Sequence, residues 1–294
     1  MRLVLPVLFG LESVTAAECK ALGLGNGMPL VRDGRVLVDV GPLGQCGLPV
    51  ARANLFLRTA ERVLLEGDEF PAPDFDALFD RTAAIPWELL LPDGVVVHVR
   101  GSSRTSRLSS VPACQSIVRK AVAKRLAAGG RARDPETGLV LEDPARGTAR
   151  ISFHLADDRA SLCLDTSGEP LHKRGIRPES VDAPLRETLA AGLVLLSRWQ
   201  PDTGEALVDP FCGSGTLLVE AARMALGIAP GIGRGFFGET LPFVGTAFAD
   251  ARREAEREAA RQGDRLRALG LEGPLPLFGS DVDPDALRAT RDNA

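Results

Sequence analysis

Residues 206–222 read Ala-Leu-Val-Asp-Pro-Phe-Cys-Gly-Ser-Gly-Thr-Leu-Leu-Val-Glu-Ala-Ala. Few backbones suit that order of residues. A short apolar run ends on a carboxylate, two glycines follow within six residues, and a helical pattern begins at once. This is a strand, a tight loop and a helix, the unit that ends a parallel strand in an open α/β sheet and around which ligands bind. Gly213 and Gly215 supply backbone conformations closed to other residues and let a ligand approach the main chain. Two well-known loops are excluded. A Walker loop needs Lys after its second glycine, where Thr216 stands, and a dinucleotide loop wants a third glycine where Leu218 stands.

A loop without a lysine suits a ligand without phosphates, such as S-adenosylmethionine. Asp209, at the strand end, is placed to meet its cationic aminoacyl group. The expected cofactor contacts are therefore Asp209, Pro210, Phe211, Cys212, Gly213, Ser214, Gly215 and Thr216. A second carboxylate is needed for ribose hydroxyls at the end of the next strand. Phe278-Gly-Ser-Asp281 supplies it, with Asp283 close behind. These carboxylates lie much further from Asp209 than the roughly 20 residues of a dinucleotide fold. An insertion over residues 229–271 is thus expected between the first two strands. Taken singly, the glycines make a tight turn and Asp281 an N-cap; together they argue for a pocket.

Charge distribution adds a second theme. The 294 residues carry a net charge of −4, yet residues 94–133 contain no Asp or Glu and nine Arg or Lys. A basic stripe in an acidic protein points to a polyanion. The five cysteines form no CxxC pair, which argues against a zinc site and for reduced thiols in a cytoplasmic protein; no metal is expected. No apolar run approaches the roughly 20 residues of a membrane helix, so no membrane partner is expected. The N-terminus reads as a strand and not as a signal peptide.

The remaining pattern divides in two. Strands are expected at 3–9, 34–40 and 95–99, with a hairpin at 149–155 and 159–164. Helices are expected at 13–22, 50–65, 75–85 and 112–126. The polar stretch 165–183 reads as a boundary. Beyond it come helix 185–199, strand 206–208, helix 216–226, a long charged helix 250–269 read as a solvated surface helix, strand 276–279 and a helix from 284. That rhythm is an open parallel sheet. His98 and His154 fall within expected strands as structural residues, and His172 in the boundary beside Lys173 and Arg174.

Several stretches carry a family resemblance: Leu171-His-Lys-Arg-Gly-Ile-Arg177, Ala183-Pro-Leu-Arg-Glu-Thr-Leu-Ala190, Trp199-Gln-Pro, the Asp209 loop, Ala229-Pro-Gly-Ile-Gly-Arg234 and the terminal GSDVDPDALRATRDNA. With Gly10-Leu-Glu12 at the other end, the chain resembles the THUMP-containing RNA guanine-(N2)-methyltransferases, most of all the bacterial type that modifies 23S ribosomal RNA (the large-subunit K/L type). Ile176 stands where that family usually has Tyr. The resemblance implies an α+β N-terminal region, ferredoxin-like plus THUMP, over residues 1–165. A linker over 166–183 and a Rossmann-like class I methyltransferase domain over 184–294 follow. It implies RNA as partner, with Arg104, Arg107, Arg119, Lys120, Lys124, Lys173, Arg174 and Arg177 as candidate phosphate contacts. The family's Asn/Asp-Pro-Pro-aromatic motif, which holds the target amine, does not occur here. The methyltransferase domain is accordingly expected to be C-terminally truncated, and no catalytic residue can be named. Two other readings remain open: an adenine-N6 methyltransferase, and a non-catalytic RNA-binding remnant.

Overall fold

A computed structural model describes residues 1–174, 185–271 and 273–293; residue Arg177 lies outside them. In chain order the elements are β1 (Arg2–Pro6), α1 (Glu12–Ala21), β2 (Leu30–Arg32), β3 (Arg35–Asp39), α2 (Gly47–Phe56), β4 (Leu64–Glu66), β5 (Phe70–Pro71), α3 (Phe75–Ala84), α4 (Trp87–Leu90), β6 (Val96–Arg104), α5 (Val111–Ala128), β7 (Thr148–Ala156) and β8 (Arg159–Asp165). After these come α6 (Glu187–Ser197), β9 (Leu207–Asp209), α7 (Thr216–Ala225), α8 (Ala247–Ala268), β10 (Leu277–Gly279) and α9 (Pro284–Asn293).

The first eight strands make one sheet in the order β2-β3-β1-β4-β8-β7-β6, with β5 also on β8. All its pairs are antiparallel except β6 with β7. Strand alternation sends Leu3, Leu5, Val36, Val38, Leu65, Val97, Val99, Ile151, Phe153 and Leu155 to the buried face, the pattern expected of a sheet with one solvated side. The other face carries Arg2, His98, Arg100, Arg150, Ser152 and His154. The second sheet has two parallel strands, β10 and β9, in the register Val208 with Phe278 and Asp209 with Gly279.

Four features depart from the sequence expectation. The helix expected over 50–65 stops at Phe56, where Leu57 turns extended, and residues 64–66 become the central strand β4. The apolar spacing of 57–65 fits a helix, but the gap between β1 and β8 takes it as strand. β2 was not expected, although Asp33-Gly34 between β2 and β3 is a strong two-residue hairpin signal. The long charged helix is not merely solvated. Ala247, Ala251 and Ala255 recur on one face of α8, and these small side chains let it lie against α2. The core consequently runs from the first sheet into residues 229–255 without a break, through Ala229, Phe236, Val244 and Phe248. Finally, residues 165–174 are polar because they are tied down. Asn54 binds Thr166 Oγ1 and Ser167 Oγ at 2.8 and 2.7 Å. The Arg234 guanidinium donates to the carbonyls of Glu169, Pro170 and Lys173.

All five cysteines are buried and unpaired. Burial pushes the Cys19 thiol up to about 12 and raises those of Cys46, Cys114 and Cys163. Since the thiolate is the reactive species, the native protein should resist alkylation at pH 8 and take up five equivalents only after unfolding. Rapid uptake of one or more equivalents by the folded chain, counted by mass spectrometry, would contradict this burial.

Candidate functional site

Strands β9 and β10 end side by side, and the Asp209 loop bends over both ends. Cys212 N donates to Ser280 O at 3.0 Å, and Ser280 N to Asp209 O at 3.0 Å. The loop closes through Gly215 N to Cys212 O at 2.8 Å. Gly213 has φ +53° and Gly215 φ +78°, the left-handed region where glycine is at home. A Cβ on Gly215 would stand 2.8 Å from Thr290 Cγ2, so α9 packs against the loop as closely as a bare backbone allows. α7 then starts on Gly215 with no side-chain cap from that residue.

Helix α9 grips the loop from the other side. Thr290 Oγ1 donates to Gly213 O at 2.6 Å, and Asn293 Nδ2 to Ser214 O at 3.1 Å. Sequence reasoning missed both residues. The signal was a polar pair three apart on one face of the last helix, which nothing singles out until the helix is seen over the loop.

Asp209 Oδ1 accepts from Phe211 N at 3.1 Å. Asp281 braces the loop: Oδ2 accepts from Gly213 N at 2.9 Å and Oδ1 from Asp283 N at 3.0 Å. These backbone donors hold its carboxyl below the usual range. Asp283 Oδ1 accepts from Asp285 N at 2.9 Å. Among the described residues, none of the three carboxylates is paired with a cation. Around them Phe211 and Phe278 are exposed and Val282 is 98% exposed. Carboxylates in need of hydroxyl or ammonium partners, apolar side chains beside them and a bare glycine backbone fit an aminoacyl nucleoside. A phosphate would meet only repulsion from that donor set.

The lowered Asp281 pKa sets a pH dependence. A carboxyl whose folded pKa is depressed holds its contribution above the unfolded value near 3.9 and loses it as pH falls through the folded value. The Gly213 amide should therefore be protected from hydrogen exchange at pH 6 and lose protection only once pH falls well below the unfolded value near 3.9. Asp281→Asn should weaken binding of a loop ligand by up to about tenfold, the equivalent of one charge-assisted hydrogen bond. Equal protection at pH 6 and at about pH 2, after correction for intrinsic rates, would refute the brace.

Behind the loop, α7 buries Glu220 completely. Arg174 Nε lies 3.0 Å from its Oε1 and Arg58 Nη1 3.8 Å from its Oε2, with no well-aligned hydrogen bond in either contact. Burial pushes the Glu220 carboxyl up and both guanidiniums down, Arg58 to about 10, while their mutual attraction opposes the shift. Arg58 also donates to Ile228 O at 2.7 Å. The cofactor-loop helix is thus clamped to the first sheet's domain by a buried charge cluster.

The cluster corrects one expected RNA contact. Arg174 is 1% exposed and faces Glu220, so it is inaccessible to a polyanion. The others vary. Arg107 pairs with Asp158 at 2.9 Å, Arg119 with Glu142 at 3.0 Å and Lys173 with Glu169 at 3.0 Å, while Lys124 lies over the Phe79 ring. Arg104 and Lys120 are exposed, with no carboxylate partner among the described residues.

A parallel strand pair with a glycine loop over its carboxyl ends and carboxylates on both strands defines the nucleotide-cofactor half of a Rossmann-like methyltransferase. Comparison with known proteins agrees. Residues 174–294 match the model of the RMKL-like methyltransferase domain, and residues 2–64 that of the RlmL ferredoxin-like domain. The chain is 39% identical over 289 residues to the Bacillus subtilis protein named "Putative RNA methyltransferase YpsC", covering 97% of this chain and 68% of that one. It is 37% identical over 290 residues to the ribosomal RNA large subunit methyltransferase K/L of Syntrophotalea carbinolica, but spans only 38% of that protein's length. Among solved structures, a Listeria monocytogenes protein described as a "predicted N6-adenine-specific DNA methylase" superposes with a TM-score of 0.83 at 38% identity over 100% of this chain and 70% of its own. SMU.472, described as a "putative methyltransferase complexed with SAH", gives 0.80 at 34% identity, over 100% of this chain and 71% of its own. The chain belongs to the RMKL-like methyltransferase family.

Proposed function

We propose that this chain provides the RNA-binding region (residues 1–165) and the cofactor-binding part (residues 184–294) of an enzyme that methylates the exocyclic N2 amine of a guanine in 23S ribosomal RNA. The cofactor half of this reading rests on one observation above all: a bare Gly213–Gly215 backbone between carboxylates at two adjacent strand ends. The substrate half rests on the names of the RNA-modifying relatives and on the open basic group Arg104 at the end of β6.

When bound, S-adenosylmethionine supplies a methyl group already activated on a sulfonium, so the protein's task is alignment. Asp209 would hold the aminoacyl ammonium, and Asp281 and Asp283 would hold the ribose hydroxyls. The loop residues Pro210, Phe211, Cys212, Ser214 and Thr216 line the approach. Thr290 and Asn293 keep the loop in shape. No residue is assigned to the target amine, because the Asn/Asp-Pro-Pro-aromatic motif is absent from these residues.

The decisive measurement is nucleoside analysis of 23S ribosomal RNA from cells lacking the gene for this chain. Loss of one N2-methylguanosine, restored by the intact gene, is expected. Loss of N6-methyladenosine from RNA or DNA, with N2-methylguanosine intact, would overturn the guanine assignment in favour of an adenine enzyme. Unchanged nucleosides, with RNA still bound by the purified chain, would favour a non-catalytic RNA-binding protein.

A further inference from the structure

Alternate residues of β3, β6 and β7 are buried on one side, Val36 and Val38, Val97 and Val99, and Ile151, Phe153 and Leu155, where α1 and α5 lie against the sheet, whereas β8 is buried on both sides. The opposite side is open along β6 and β7, where His98, Arg100 and His154 are exposed. Registers place its side chains in rows: His98 beside Arg150, and Arg100 beside Ser152 beside Cys163. At one end of these rows is a hollow of about 420 Å³ lined by Arg62, Leu64, His98, Arg100, Arg150 and Pro170.

The hollow's charges are unevenly balanced. Arg62 is held by Asp165 and by Gly168 O. Arg150 Nη1 donates to Gly168 O at 2.7 Å, while its nearest carboxylate, Glu169, is 3.9 Å away and is shared with Lys173 at 3.0 Å. Arg100 has no carboxylate partner among the described residues. Its Nε donates to His98 Nε2 at 3.0 Å, which fixes the guanidinium plane and leaves the terminal nitrogens free to face outward. Three guanidiniums, Arg62, Arg100 and Arg150, therefore share two carboxylates, Asp165 and Glu169, around the hollow. An arginine fork oriented by a second side chain and lacking an internal acid is suited to bidentate recognition of a phosphate.

We propose that this hollow on the open sheet face seats a backbone phosphate of the RNA substrate, held by Arg100 and Arg150, and that RNA crosses the bare sheet and not the α5 side. The proposal rests on the RNA-methyltransferase reading above. The α5 cations are poorer candidates: Arg119 is paired with Glu142, Arg125 with Glu88, and Lys124 is engaged over Phe79, which leaves Lys120 as a single open charge with no neighbouring fork.

The test is fluorescence anisotropy of the 294-residue chain with a labelled 23S-derived transcript, titrated at several salt concentrations. Arg100→Gln and Arg150→Gln are compared with Arg119→Gln and Lys120→Gln on α5, with circular dichroism confirming that each variant is folded. Each sheet-face substitution should lower affinity about five- to tenfold at low salt, and lower the slope of log affinity against log salt by about 0.7–0.9, the loss of one phosphate contact. The α5 substitutions should change affinity less than twofold. The reverse ranking would overturn the sheet-face assignment while leaving RNA binding intact. Absence of RNA binding by the wild-type chain would instead fail the reading on which the proposal rests. A 5′-nucleoside monophosphate competing at micromolar concentration would make the hollow a free-nucleotide site and overturn the backbone-phosphate assignment.

Discussion

Replacing Glu220 by Leu is expected to destabilise the protein by about 3–5 kcal/mol, the typical cost of removing one partner from a buried ion pair. The carboxylate is the shared counter-charge of Arg174, 1% exposed, and Arg58, largely buried. Without it two guanidiniums stay in the interior deprived of their closest acid, with only the more distant Glu18, Glu61 and Glu187 to oppose their charge. The lost contacts lack good hydrogen-bond geometry, so the penalty comes from the orphaned charges and not from the lost attraction. It follows that Glu220→Leu combined with Arg174→Met should recover part of the loss, since an apolar replacement of a whole buried cluster is often neutral or better. Urea denaturation at constant pH reads both effects. A change below about 1 kcal/mol for Glu220→Leu, or a double variant worse than the sum of its singles, would count against the clamp. Because Glu220 lies one turn beyond the cofactor loop, the single variant should also bind S-adenosylhomocysteine more weakly.

The second large effect is expected at Gly215. Alanine there meets two penalties. The left-handed backbone at φ +78° costs a non-glycine residue about 1–3 kcal/mol, and the added Cβ falls 2.8 Å from Thr290 Cγ2 and 3.3 Å from Thr290 Cβ. Thr290 is β-branched and held by its hydroxyl on Gly213 O, so it has little room to move. Either α9 shifts or the loop changes shape. Calorimetric affinity for S-adenosylhomocysteine should fall by at least tenfold, while the α5 and sheet regions keep their helix and strand content. Adding Thr290→Ser, which keeps the hydroxyl and removes Cγ2, should restore part of the affinity. Should Gly215→Ala bind as tightly as the parent, the close packing of α9 on the loop would not be what shapes this site.

The local signals were strong where chemistry and backbone coincide. Two glycines next to Asp209, and Phe278-Gly-Ser-Asp281, are visible in sequence because only certain residues satisfy a left-handed turn and only acids serve at those strand ends. The hairpin at Asp157-Asp158, where both residues take positive φ, and the helices that begin at Thr216 and Pro284 were legible for the same reason. The central strand β4 was not, since Arg62-Val-Leu-Leu-Glu66 suits a helix and a strand alike, and only the space between β1 and β8 decides. Arg174 misled because a cation in a polar stretch looks solvated. Nothing in the sequence says that Glu220, forty-six positions later by number, is buried beside it.

The sequence by itself determined the glycine loop over Asp209, because its conformation is dictated by residue type within eight positions. It also determined the second carboxylate at Asp281 and the basic, acid-free stretch of residues 94–133. Only the tertiary structure decided what lies across from each of them. It set Thr290 and Asn293 over the loop, turned Asp281 into a brace for Gly213, neutralised Arg107 and Arg119, and left Arg100 and Arg150 on the bare sheet face. The physical reason is range: a backbone conformation is local, whereas a charge is free or spent according to partners that the fold brings in from distant parts of the chain.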